Sequence, residues 1–225
     1  LYGLFKKKTG SPFHKIDYSN KDYYTGNTCM GCHSHLKDDL GVELFNLKKA
    51  NKKEDLETNC ITCHMPKVKG TTTTIKKTKK HRFHGFAGAH FKQELLSKYI
   101  KFKFQTSAEF FNIAIKNEAS HDMFLHPLRV AVLKVNILRE NKTIELKTIT
   151  FKKVIDKSKN PNVYKGNMIK ANENRIIRYD YKLEAEDKIS VVLGYYLVNK
   201  DMVSKLKLEN SPEATKFYIL KKKLF

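Results

Sequence analysis

The chain has 225 residues, enough for one large domain or two small ones. Its 44 Lys and Arg against 23 Asp and Glu give a formal net charge of +21, a field that favours acidic partners or anionic surfaces; with no recognition motif beside it, that charge does not argue for nucleic acid. No apolar run reaches the roughly 18 residues of a membrane span and Leu1 to Lys8 is not a signal peptide, so the start at Leu rather than Met predicts a processed or truncated product whose export signal, and any membrane attachment, lies outside this sequence.

From Leu1 to Thr28 the polar and aromatic residues keep no sustained period, which predicts a loop with short helical turns. The next stretch carries the chemistry. Cys29-Met30-Gly31-Cys32-His33 and Cys60-Ile61-Thr62-Cys63-His64 repeat one motif and use all four cysteines. Cys-x-x-Cys-His is the attachment pattern of c-type haem: two thiols add across the porphyrin vinyl groups, and the adjacent His binds the iron. A Cys₄ zinc site or two disulfides would use the same thiols, yet neither needs the His. With 9 His in the chain, His at both places has a chance of about 0.002 by composition. The expectation is two c-type haems held by Cys29, Cys32, Cys60 and Cys63, with His33 and His64 as proximal ligands. A porphyrin also offers apolar surface, so a short peptide around two haems needs little other core.

Distal ligands are sought among the remaining histidines. His14 lies where a loop can fold back towards an iron, whereas His35, two residues after a proximal His, cannot easily reach the other face of the same iron. After Pro66 comes a polar stretch, Lys67 to Lys80, read as a surface loop. His81-Arg82-Phe83-His84-Gly85-Phe86-Ala87-Gly88-Ala89-His90 then places three histidines among Phe and small residues. Small residues let backbone approach a flat ring, Phe packs on its face, and His offers a neutral nitrogen.

Phe91 to Ile100 reads as a short helix with Leu95, Leu96, Tyr99 and Ile100 in one stripe, after which the apolar period becomes two. Phe111, Ile113 and Ile115 alternate with other residues, as do Ala131 to Ile137, Ile144 and Leu146, Ile177 to Leu183, Ile189 to Leu197, and Phe217 and Ile219. Six or seven such strands predict an antiparallel β-sandwich of immunoglobulin-like size. The fold class is therefore α+β: a small irregular or helical dihaem domain over 1–101, then the sandwich over 102–225. Between two strands the loop Asn117 to Pro127 carries His121, Met123 and His126, where a sandwich can touch a haem domain.

The haem motifs, the form CxxCHMP from Cys60 to Pro66, and His84-x-Phe86-x-Gly88 together resemble the bacterial periplasmic multihaem c-type cytochromes. In that family a haem-binding part is often followed by a β-sandwich with a Gly-His-x-x-Pro type loop. Ala119-Ser120-His121 through Pro127 and Arg129 resembles that loop, without the Gly and with a different spacing to Pro. The resemblance implies proximal His33 and His64, and His84 and His121 at positions suited to distal ligation, with His14 beside them. It also implies a periplasmic electron-transfer protein with acidic or membrane-associated redox partners. The rival expectation is a haem enzyme or gas or redox sensor with one open iron site, for which Arg82 and the basic surroundings would suit an anionic substrate.

Overall fold

The computed structural model describes residues 26–39, 41–47, 59–71, 77–156 and 163–225. His14 and the rest of 1–25 lie outside the described residues, as does the charged run between the two motifs. The described chain is mostly antiparallel β-sheet with a few short helices, a β-rich α+β arrangement.

Two short helices carry the Cys-x-x-Cys-His motifs: α1, Asn27–His33, and α2, Cys60–His64. Each is followed by a small antiparallel hairpin. Strands β1, His35–Lys37, and β2, Glu43–Asn46, pair after α1. Strands β3, Lys67–Lys69, and β4, Lys80–Arg82, pair after α2, so part of the polar stretch expected as loop is strand. Alternation there is too short to register as a period. The stretch expected as a helix from Phe91 is a 3₁₀ helix over Gln93–Tyr99. It is too short to follow the 3.6 period for long.

Strands β5, Ile100–Thr106, β6, Phe111–Asn117, and β11, Asn174–Tyr179, form one antiparallel sheet in the order β11-β6-β5. A second sheet runs β10-β9-β7-β12-β13, with β8, Lys142–Glu145, also on β7. Its other strands are β7, Val130–Arg139, β9, Ile149–Asp156, β10, Val163–Gly166, β12, Lys188–Tyr196, and β13, Tyr218–Leu224. Helices α3, Lys200–Lys205, and α4, Pro212–Thr215, link the last two.

The period-two stripes point where the sequence puts them. Phe111, Ile113 and Ile115 of β6, Leu133, Val135 and Ile137 of β7, and Val191 and Leu193 of β12 join one buried cluster drawn from both sheets. Each such side chain contributes roughly 1.5–3 kcal/mol by leaving water. Strand β5 escapes the sequence reading because Lys101 and Lys103 separate Ile100, Phe102 and Phe104 so near the preceding helix, and β9 because only Phe151 is deeply buried among its described side chains. In the β12–β13 pairing the register shifts at Gly194, where an added Cβ would stand 2.4 Å from Phe217 and 2.6 Å from the Tyr218 carbonyl.

The cluster continues to the segment after β4. Ala89 packs against it, the Tyr195 hydroxyl of β12 donates to the Ala89 carbonyl at 2.7 Å, and Lys153 of β9 donates to the Leu44 carbonyl of β2 at 2.5 Å. The sheets therefore position the short elements that bear the two motifs.

Candidate functional site

The second motif is the better braced. Asn59 caps α2: its Oδ1 accepts from the amides of Ile61 and Thr62 at 3.0 Å each, while Thr62 Oγ1 accepts from the Asn59 amide at 2.9 Å. This reciprocal box offsets the free amides of a helix start. The cap is itself buried, so α2 starts at one register and Cys60, Cys63 and His64 have fixed bearings.

Helix α1 starts differently. Gly26 takes the left-handed conformation, φ +79°, and an added Cβ there would lie 3.2 Å from Cys60 Cβ. Glycine alone takes that backbone without strain and permits that approach. The first residues of the two motifs are thus neighbours. Burial raises the Cys60 thiol pKa, and the nearby Cys29 raises it further. All four thiols are free. Cys29, Cys60 and Cys63 are half-buried; Cys32 and His33 are exposed. Among the described residues no group of three or more His, Cys, Asp or Glu is gathered closely enough to hold a metal ion.

His64 is half-buried and held on two sides. Its Nδ1–H donates to the Ala87 carbonyl at 2.5 Å, and the Ala87 amide donates back to the His64 carbonyl at 2.8 Å. A carbonyl only accepts, so the ring proton sits on Nδ1 and Nε2 keeps its lone pair. The ring lies parallel to Phe86, with centroids 4.4 Å apart and planes at 5°. Burial lowers the His64 pKa against the pull of that hydrogen bond, and His121 and His33 lower it further. The neutral ring is the form that binds a metal.

His121 has the same arrangement. Its Nδ1–H donates to the Asp122 carbonyl at 2.8 Å, again leaving Nε2 free. The His64 and His121 rings lie with centroids 6.2 Å apart and planes at 13°. The loop is set by Asn117, fully buried at the end of β6: its Nδ2 donates to the carbonyls of His121 at 3.0 Å and Lys170 at 2.9 Å, and its Oδ1 accepts from the Ala119 amide at 3.0 Å.

His126, the other histidine of that loop, is turned the opposite way. Its Nδ1 accepts from the Leu128 amide at 3.3 Å, which puts the ring proton on Nε2. His84 is exposed. His81, which the sequence reading noted without singling out, donates Nδ1–H to the Gly70 carbonyl at 2.8 Å across the β3–β4 hairpin and so also keeps Nε2 free. Only a hairpin partner 11 residues away reveals this, so no local pattern could have found it.

Apolar side chains beside the motifs suit a porphyrin. Leu36, Phe86 and Phe91 are 41%, 47% and 53% exposed, and Phe83 and Phe91 flank Gly85, where a Cβ would stand 2.7 Å from the Phe83 ring. Four thiols in two attachment motifs, carbonyl-anchored imidazoles and open aromatic faces form a donor set and lining that fit c-type haem.

No protein-family model matches the chain, and no curated protein matches its sequence. Among solved structures, a penta-heme cytochrome c552 from Thermochromatium tepidum matches with a TM-score of 0.69 over 93% of this chain at 20% identity. The chain spans 58% of the length of that protein. At this identity the likeness is one of fold: the chain shares the fold of a multihaem cytochrome c. No helix among the described residues is long and apolar enough to cross a membrane.

Proposed function

We propose that the protein is a c-type cytochrome that carries electrons between redox partners through two covalently attached haems. The observation that carries this reading is that the loop histidine His121 lies beside His64 of the second motif, ring centroids 6.2 Å apart, each with Nδ1 committed to a backbone carbonyl. In this reading Cys60 and Cys63 attach the second haem and His64 and His121 are its axial ligands. Cys29, Cys32 and His33 serve the first, for whose other face His84, His14 and His81 are the candidates. Haem iron supplies reversible one-electron chemistry, and His/His ligation lacks the thioether that raises the potential of His/Met cytochromes. The chain's part is to orient both imidazoles, cover the porphyrin faces and bring the two motifs together at Gly26 and Cys60.

The first hundred residues are read as a dihaem domain, 1–101, and the two sheets of 102–225 as an immunoglobulin-like sandwich that buttresses it. Covalent attachment of two haems supports a location in the bacterial periplasm. The +21 charge suits acidic or membrane-associated redox proteins as partners.

The test is expression with haem-maturation machinery, a pyridine haemochrome count per chain, and visible spectra with and without carbon monoxide. Two attached, low-spin haems whose reduced spectra ignore carbon monoxide are expected. A colourless protein overturns the haem assignment. A high-spin haem that binds carbon monoxide favours the enzyme or sensor reading instead.

A further inference from the structure

One cationic group beside the His121 loop is left with an unmet donor among the described residues. Arg129, at the end of that loop just before β7, has a buried Nε that meets no hydrogen-bond acceptor among the described residues. Its guanidinium stands 5.8 Å from the centre of the Tyr195 ring, and its backbone amide donates to the His126 carbonyl at 3.0 Å. Burial lowers its pKa, and the one group acting against this is the Tyr195 phenol, not a carboxylate. His126 is also half-buried, and after burial the groups that lower its pKa are Arg129, His90 and Lys153, all cationic or able to become so. Lys153 faces Asp122 and Glu43. Among the described residues Arg129 and His126 face no acid.

Charges of one sign gathered out of water are unfavourable unless an anion joins them, and a guanidinium offers a carboxylate two parallel donors. His126, with its proton on Nε2, presents a donor as well. This cluster adjoins the proposed axial pair. Ala87 holds His64, Ala89 two residues on holds Tyr195, and Tyr195 lies under Arg129; on the other side, the loop runs from His121 to His126. Resting on the haem reading above, we propose that Arg129, assisted by His126, is a carboxylate-binding site that holds a propionate of the haem ligated by His64 and His121. The anion both completes the hydrogen bonding of Arg129 and fixes the rotation of the porphyrin about the axial bonds.

The experiment uses the full chain with haem attached, in wild type, Arg129→Gln and Arg129→Lys, with Arg178→Gln as a control. Arg178 pairs with Asp180 and lies over Phe110, at the end of its sheet away from Asn117. Removing a positive charge beside a propionate favours the oxidised iron, so the midpoint potential of one haem falls in Arg129→Gln while the other is unchanged. The propionate-bending band in the resonance Raman spectrum shifts in the same variant. Arg129→Lys keeps the charge but not the fork, so its potential stays near that of wild type and its band shifts. Two low-spin haems with both potentials and the band unchanged in Arg129→Gln overturn the proposal. So does calorimetric binding of acetate to wild type that is lost in Arg129→Gln with potentials unmoved, because the carboxylate then comes from solution. If Arg129→Gln fails to retain haem, the Raman band of Arg129→Lys decides alone. Wild type without attached haem is a different result, which removes the functional reading itself.

Discussion

Replacement of Asn117 by Ala tests whether one buried amide sets the His121 loop. Asn117 is fully buried and makes three side-chain hydrogen bonds of 2.9–3.0 Å, to the His121 and Lys170 carbonyls and from the Ala119 amide. A fourth contact, to the Ile169 carbonyl, is longer at 3.3 Å. Each bond contributes about 1 kcal/mol net, and each deserted partner stays out of water, so Asn117→Ala costs about 3 kcal/mol. At roughly 2–4 °C per kcal/mol for a chain of this size, the melting temperature falls by about 6–12 °C. Asn117→Asp is at least as damaging, because a carboxylate would face the Ile169 and Lys170 carbonyls. The assay is thermal and denaturant unfolding of the haem-loaded protein, followed by far-ultraviolet circular dichroism and by the low-spin visible bands. The visible bands are expected to respond first, since the loop carries a proposed ligand. A loss under about 1 kcal/mol with unchanged visible spectra would refute the claim that this amide holds the loop.

Other perturbations address the ligands, the meeting of the motifs and the acid response. His121→Ala should leave one high-spin haem and His126→Ala two low-spin haems, read in visible spectra; the reverse pattern refutes the tautomer argument. Alanine at His81 or His84 tests the remaining axial position: the ring that supplies it leaves a high-spin haem when removed, and two low-spin haems in both variants exclude both. Gly26→Ala places a side chain on a left-handed backbone against Cys60, at a cost of about 1–2 kcal/mol; mass spectrometry should find fewer doubly loaded chains, and an undiminished fraction would contradict it. Finally, Arg139 holds Asp187 through Nε and Nη2 at 2.7 Å each and keeps its carboxyl below the usual Asp value. A depressed carboxylate pKa stabilises above the ordinary value of about 4 and ceases to do so as pH falls through the depressed one. The gap in unfolding free energy between wild type and Asp187→Asn should therefore close below about pH 4; a gap independent of pH would show that the ion pair is not its source.

Legibility in the sequence followed the range of the forces involved. The stripes of β6, β7 and β12 were readable because alternation is local and one face of each strand meets the core. Strand β11 was expected to run on to Leu183 but ends at Tyr179, since an alternating pattern marks a face and not where the ladder's partner stops. The Asn59 box belongs to the same local class. The tautomers of His121 and His126 are set by contacts one and two residues away, but those of His64 and His81 are not local, because carbonyls at Ala87 and Gly70 decide them from 23 and 11 residues away.

By itself, then, the sequence determined the two Cys-x-x-Cys-His motifs on which the haem proposal rests and the β-rich character, since such a motif is complete within five residues and a strand's period within eight. Only the tertiary structure decided that Cys60 sits against Gly26, that His64 lies beside His121, and that the Arg129 Nε meets no acceptor among the described residues. Those are distances between segments tens of residues apart, and they exist only once two sheets have closed on a shared core and carried their loops to the same place.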